Sequence, residues 1–241
     1  MGELEGKVVL ITGASRGIGY AAALEAARRG AHVLAVARTI GGLEELDDAI
    51  QALGSSATLV PLDLKDGAAI DRLGAAVFER WGRLDGLVSN AALLGVLTPL
   101  PHLSPDEFDS VFAVNVTATF RLLRACDLLL RQSEAGRAVV VTSGAAIRCR
   151  PYWGAYSASK AAVNAMVRTY AAEMQATHVR VNAFDPGATR TAMRAKAMPG
   201  EDPDTLPRPA DIAPRLIDMI SAACVDTGKV FEMSSGRLLD F

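Results

Sequence analysis

Tyr156 and Lys160 stand four residues apart in the stretch "YWGAYSASK" at 152–160. On a helix that spacing puts the phenol and the amine one turn apart on the same face. An ammonium beside a phenol favours the phenolate and draws a pKa of about 10 towards the working pH, which a tyrosine needs if it is to give or take a proton. Tyr152 lies eight residues from Lys160, beyond direct reach, and precedes Trp153 and Gly154 at the expected helix start. Tyr156 is therefore the lysine's partner. Thirteen residues before Tyr156, "VVVTSG" leaves Ser143 at the carboxyl end of an apolar strand, where its hydroxyl can hydrogen-bond a substrate oxygen as charge gathers on it. A Tyr-x-x-x-Lys pair alone is usually an ordinary cation and aromatic neighbour, and it takes a nucleotide site upstream to give it chemical meaning.

"LITGASRGIGYAAALEAARRG" offers that site, reading strand, turn and helix. Gly13, Gly17 and Gly19 fall where backbone must approach a ligand and a helix must open against the sheet. With Ser15, Arg16 and Ile18 they form a candidate cradle for a pyrophosphate on the helix amides. Where a dinucleotide domain that prefers NAD carries an acidic residue at the end of its second strand, this chain has Ala37 followed by Arg38. A guanidinium there pairs with a 2′-phosphate, and Arg16 can add a second cation. NADP(H) is favoured as cofactor, with NAD(H) the alternative.

Short β-branched runs alternate with amphipathic stretches along the whole chain, the pattern of a parallel sheet covered on both faces. Strands are expected at "KVVLITG", "HVLAVAR", "ATLVPLD", "LDGLVSN", "RAVVVTS", "VRVNAFDPG" and near 229–233. Helices are expected at about 17–29, 42–53, 66–81, 105–131, 153–176 and 210–222. The expectation is an α/β, doubly wound Rossmann-type fold with seven parallel strands in a single domain over 1–241. The segment at about 192–209, with four prolines, reads as a long loop that lines the substrate site.

The sequence resembles the short-chain dehydrogenase/reductase superfamily, in its single-domain form, over nearly its whole length. "TGASRGIG", "LDL" at 62–64, "SNAA" at 89–92, "FAVNVTATF", "VVVTSG", "YSASK" and "DPGATRT" occur in family order. The resemblance implies reversible hydride transfer between a nicotinamide and an alcohol or carbonyl carbon. It makes Tyr156 the general acid/base, Lys160 the group that lowers its pKa and holds the nicotinamide ribose, Ser143 the orienter of the substrate oxygen, and Asn115 the holder of a water that links Lys160 to solvent. It assigns Asp63 and Leu64 to the adenine, Asn90 and Ala91 to the adenosine ribose region, and Thr191 to the carboxamide, helped by backbone at Pro186, Gly187, Ala188 and Thr189. Read without it, Asn115 is a helix-interior amide and Asp63 a strand-end cap. Ala92 stands where the family has glycine, a change that costs about 1 kcal/mol if φ stays negative. The segment "DPGATRTAMRAKAMPGEDP" and the ending "SSGRLLDF" look like a bacterial branch whose substrates are poorly defined.

The substrate expected is a small carbonyl or alcohol. Leu93, Leu94, Ala145, Tyr152, Trp153 and Met193 suit an apolar one, while Arg148, Arg150, Arg194 and Lys196 would serve an acidic group. Small and apolar residues on more than one face of the helices at 105–131 and 153–176, Ala158, Ala161, Ala162, Ala165 and Met166 among them, point to a homodimer or homotetramer. A net charge of −2 offers no footprint for nucleic acid or an anionic membrane, and no apolar run reaches bilayer length. Cys126, Cys149 and Cys224 lie far apart and suggest neither disulfide nor metal. The beginning "MGELEGKVVLITG" has charges where a signal peptide needs an apolar core, and Gly6 where a myristoylation signal needs Ser or Thr, so a cytoplasmic protein is expected. A competing reading is a nucleotide-binding regulator or redox sensor, against which the full set of reacting groups argues. Another keeps catalysis but oxidises the cofactor only transiently, in an epimerisation or dehydration.

Overall fold

Val8–Thr12 forms β1, and all five of its residues are buried, because a strand covered on both faces needs no polar alternation. The computed structural model describes residues 2–241. The further strands are β2 (His32–Ala37), β3 (Ala57–Pro61), β4 (Gly86–Ser89), β5 (Arg137–Val141), β6 (Arg180–Asp185), β7 (Val230–Glu232) and β8 (Arg237–Leu239). They build one eight-stranded sheet in the order β3-β2-β1-β4-β5-β6-β7-β8. The seven expected strands run parallel, and β8 adds an eighth, antiparallel to β7. β8 returns from β7 through a tight turn at Gly236, with φ +66°, and no helix between, so the strand–helix alternation gives no place for it.

The connections are α1 (Gly17–Arg28), α2 (Ile40–Ala52), α3 (Gly67–Trp81), α4 (Pro105–Phe112), α5 (Ala118–Gln132), α6 (Ala145–Arg148), α7 (Gly154–Glu173), α8 (Ala192–Ala197) and α9 (Pro209–Asp218). Their ends are written in the sequence. Asp66 caps α3 by accepting the Ala69 amide at 2.9 Å, and Gly82 ends it in the left-handed region. Ser104 caps α4, whose first turn opens with Pro105 and carries Asp106 and Glu107 at the positive end of the dipole. The stretch expected as one helix over 105–131 continues through a π-helical turn at Ala113–Thr117.

Successive residues of β1 face opposite sides of the sheet. Leu10 joins a core built with α3, α5 and α7, whereas Val9 and Ile11 join a second core with α1, α2 and α9. The order turns back between β1 and β4, which opens a crevice at their carboxyl ends, the place where doubly wound sheets take ligands. The expected loop at 192–209 is instead structured, with α8 and a 3₁₀ turn at Pro203–Thr205. Arg194 forks onto Glu201 at 2.5 and 2.6 Å, and the Arg190 amide donates to Pro207.

Phe184 of β6 is fully buried and stacks on Phe231 of β7 with centroids 5.7 Å apart. Phe184→Ala should cost about 3–5 kcal/mol in urea denaturation. A loss below about 1 kcal/mol would contradict this packing.

Candidate active site

The crevice is a cleft of about 710 Å³. It brings together the expected residues of the glycine turn, Arg38, Asp63, Leu64, Asn90, Ala91, Ser143, Tyr156, Lys160, Pro186, Gly187, Thr189 and Thr191. Gly19 and Asn115, both buried behind its wall, and Ala188 are the exceptions. Gly13 and Gly17 have φ of +70° and +60°, the region where side chains are strained. A Cβ on Gly19 would fall 2.3 Å from the Gly13 carbonyl oxygen, so this glycine lets α1 close onto the turn. Helix α1 begins with no side-chain cap and no acidic residue in its first turn. Its leading amides are free to meet an anion. Arg16 and Arg38 flank them, exposed and, among the described residues, without a carboxylate within 4.0 Å. Uncapped amides, two unpaired cations and a turn that disfavours side chains, by positive φ at Gly13 and Gly17 and by close contact at Gly19, fit a dinucleotide carrying an extra phosphate.

Thr12 fastens the opposite lip. Its hydroxyl accepts the Asn90 and Ala91 amides at 3.0 and 3.1 Å, and its carbonyl accepts the Asn90 side chain at 2.9 Å. Sequence reading passed over Thr12, although a threonine closing the strand before a glycine turn was the available signal. Ala92 is not among the residues with positive φ; Gly95, at φ +74°, takes the left-handed turn instead. Alanine thus fits at the family's glycine position without backbone strain.

Asn115 is buried in the π turn, where its side chain accepts the Leu93 amide at 2.7 Å and donates to the Leu93 carbonyl and the Ser159 hydroxyl, each at 2.9 Å. Its own carbonyl accepts the Thr119 hydroxyl. It clamps the loop after β4 to α7. Asp63 accepts the Lys65 amide, as a strand-end cap does, while also facing the cleft.

Tyr156 and Lys160 lie one turn apart on α7 and line the same wall, the ammonium 5.8 Å from the phenol ring centroid. Trp153 packs edge-on against the ring at 5.8 Å. Lys160 is 3% exposed and donates to the Val141 carbonyl at 2.7 Å. Burial lowers its pKa to about 8, against an opposing pull from the Asp185 carboxylate. Burial likewise pushes the Tyr156 phenol up to about 12, with the Ser143 hydroxyl drawing it back and Asp185 raising it further. The expected lowering of Tyr156 by Lys160 is not found here: desolvation raises the phenol, and the ammonium donates to a backbone carbonyl.

The short chain dehydrogenase profile matches residues 7–202. The chain belongs to the short-chain dehydrogenase family. It is similar to the uncharacterized oxidoreductase YciK of Escherichia coli (strain K12), 39% identical over 238 residues, 97% of this chain and 94% of that one. A protein assigned as a short chain dehydrogenase from Shigella flexneri 2a, complexed with NADP, aligns at TM-score 0.91 and 38% identity, covering 95% of this chain and 97% of that chain. Another, from Escherichia coli CFT073 complexed with NADPH, aligns at TM-score 0.91 and 39% identity with the same coverage. As a short-chain dehydrogenase the protein is an oxidoreductase.

Of the substrate-side candidates, Leu93, Leu94, Trp153, Met193, Arg194 and Lys196 line the cleft of this dehydrogenase, and Ala145, Tyr152, Arg148 and Arg150 do not. Tyr152 is 59% exposed on a turn at φ +74°. Arg194 is committed to Glu201, which leaves Lys196 as the cleft cation on that side. Among the described residues no helix is long and apolar enough to cross a membrane.

Below about pH 8 Lys160 is charged in folded and unfolded chains alike, and burying that charge costs stability. As pH rises from there to 10.5 the folded chain releases the proton first and the cost fades. Lys160→Met should therefore raise Tm at neutral pH, with a gain that shrinks across that window. Calorimetry showing a pH-independent gain, or none, would contradict the buried charge.

Proposed function

We propose that this protein transfers hydride between NADP(H) and a carbonyl or alcohol carbon, with Tyr156 as the acid/base. The observation that carries the reading is the convergence of Tyr156, Lys160 and Ser143 on the cleft that holds the uncapped start of α1. Arg38 and Arg16 are the residues to hold a 2′-phosphate, and the NADP and NADPH complexes of the two relatives support that choice. NAD(H) remains the alternative. When bound, the nicotinamide supplies or accepts the hydride and, in its oxidised form, brings a positive charge beside the phenol.

In reduction, the Tyr156 hydroxyl donates its proton to the carbonyl oxygen while Ser143 donates a hydrogen bond to the same atom. A phenol held near 12 by burial stays protonated at neutral pH, the state a proton donor requires. The phenolate left behind is stabilised by the Lys160 ammonium one turn away and takes a proton back from solvent. In oxidation, Tyr156 must start as phenolate, so positive charge in the cleft has to offset its desolvation. Asn115, by fixing Leu93 against α7, keeps the loop after β4 in place beside these groups. Leu94, Trp153 and Met193 favour an apolar substrate.

All eight strands sharing one sheet supports reading the chain as one domain. Helices α5 and α7 lie on the same face of that sheet and expose Phe120, Leu128, Ala158, Ala161 and Ala165, which supports self-association through them. Met166 instead packs on the core.

A panel of ketones, aldehydes, quinones and acyl thioesters followed by NADPH oxidation tests the activity, and silence across it would favour a sensor. On a panel substrate, Tyr156→Phe should lower kcat by about 10²–10⁴-fold while NADPH affinity changes less than about two-fold. Full turnover in that variant would refute the assignment. Arg38→Asp should raise the Michaelis constant for NADPH by about 10–100-fold and leave that for NADH nearly unchanged. Equal effects on the two cofactors would show that Arg38 does not meet the phosphate.

A further inference from the structure

Asp185 ends β6 and is 7% exposed, an acidic group in the wall behind the reacting residues. The Thr142 amide donates to the Phe184 carbonyl at 2.8 Å, which sets Asp185 beside the turn that carries Ser143. One strand residue earlier is Val141, whose carbonyl receives the Lys160 ammonium. The Asp185 carboxylate accepts the Gly187 amide at 3.0 Å and sits against the Gly144 backbone. A methyl group on Gly144 would lie 3.2 Å from an Asp185 oxygen and 3.3 Å from the Arg148 guanidinium carbon, so the two charged groups flank that glycine.

The other charged and titratable groups facing this carboxylate come from three elements. Glu232 is its register partner on β7, Arg148 reaches over from α6, and Lys160 and Tyr156 feel its charge from α7. Lys160 has no carboxylate within 4.0 Å among the described residues, and its ammonium has one protein hydrogen bond, to Val141. A buried ammonium without an ion partner is costly and tends to shed its proton. A fixed negative charge nearby, itself held by the Gly187 amide, counters that tendency without the strong coupling of a direct pair.

We propose that Asp185 is a positioning residue that acts through Lys160: its buried carboxylate keeps that side chain protonated beneath Tyr156 and pins the Ser143 turn to the Pro186–Gly187 turn. The link to catalysis rests on the function proposed above, in which a protonated Lys160 supports the Tyr156 phenolate. Asparagine keeps the shape of aspartate and an oxygen for one amide but lacks the charge. Asp185→Asn therefore separates the electrostatic role from the brace.

The first measurement needs neither cofactor nor substrate. In protein labelled with ¹³C at the lysine Cε, the Lys160 resonance, assigned by its loss in Lys160→Met, should titrate with a midpoint near pH 8. In Asp185→Asn the midpoint should fall by about one pH unit. An unmoved midpoint overturns the proposal. The second measurement uses whichever ketone the NADPH panel returns. Carbonyl reduction at pH 8 should fall about five-fold in Asp185→Asn, with NADPH affinity within about two-fold of the original. A shifted midpoint in a protein whose parent turns over no carbonyl would sink the reductase reading and leave the Asp185–Lys160 link standing. If Asp185→Asn does not fold, Asp185→Ser removes the same charge and is read in the same way. Failure of both to fold would make Asp185 a brace alone and overturn its electrostatic role.

Discussion

A lysine ammonium buried at the carboxyl edge of a parallel sheet is the constraint around which this site is organised. Charge is expensive there, and Lys160 is kept in place by a single backbone carbonyl, that of Val141. The carbonyl is available because β5 ends at Val141 and its chain turns away towards α6, leaving an acceptor at the sheet edge. The helix that supplies the amine also supplies Tyr156, so any shift of α7 along the sheet would misplace both groups together. Val163, Val167 and Ala171, buried on the same helix, hold that register within one core that also contains Ala138, Val140 and Val181. Hydrophobic burial thus sets the position of a polar pair that by itself would destabilise the fold.

The two ends of the cleft answer opposite electrostatic needs. At the α1 end, uncapped amides and the exposed cations of Arg16 and Arg38 offer positive charge in water-accessible surroundings, where long-range attraction is screened and geometry would do the selecting. At the α7 end, desolvation dominates, so small changes in charge move proton affinities by large amounts. One cleft joins a region suited to a polyanion to a region where proton affinity is sensitive to charge. The crevice between β1 and β4 lets both regions open on the same space.

What the sequence made legible follows the range of the interactions involved. Tyr156 with Lys160, and the glycine turn with its strand and helix, are local patterns, and a helical or turn period reveals them directly. Seven strands were readable because each falls at its turn in the strand–helix alternation, and β8 was not because it follows β7 through a tight turn with no helix between. The helix within 192–209 was hidden by its prolines, since the pairing of Arg194 with Glu201 that holds it cannot be inferred from composition. Thr12 and Asp185 act across neighbouring strands, and Asn115 acts through a π turn that shifts its amide to Leu93. These partners are set by topology, so such residues acquire roles only when the sheet order is known. Tyr152 and Arg148 show the converse: nearness in sequence to the reacting residues did not place them in the cleft.

The central claim is that the phenol held protonated by burial gives up its proton when positive charge enters the cleft beside it. Proton release on binding NADP⁺, read from calorimetric enthalpies in two buffers of different ionisation heat between neutral and mildly alkaline pH, tests this most directly. The account predicts a fractional proton released per site, growing with pH and abolished in Tyr156→Phe. Binding without release, or release that survives loss of the Tyr156 hydroxyl, would contradict it.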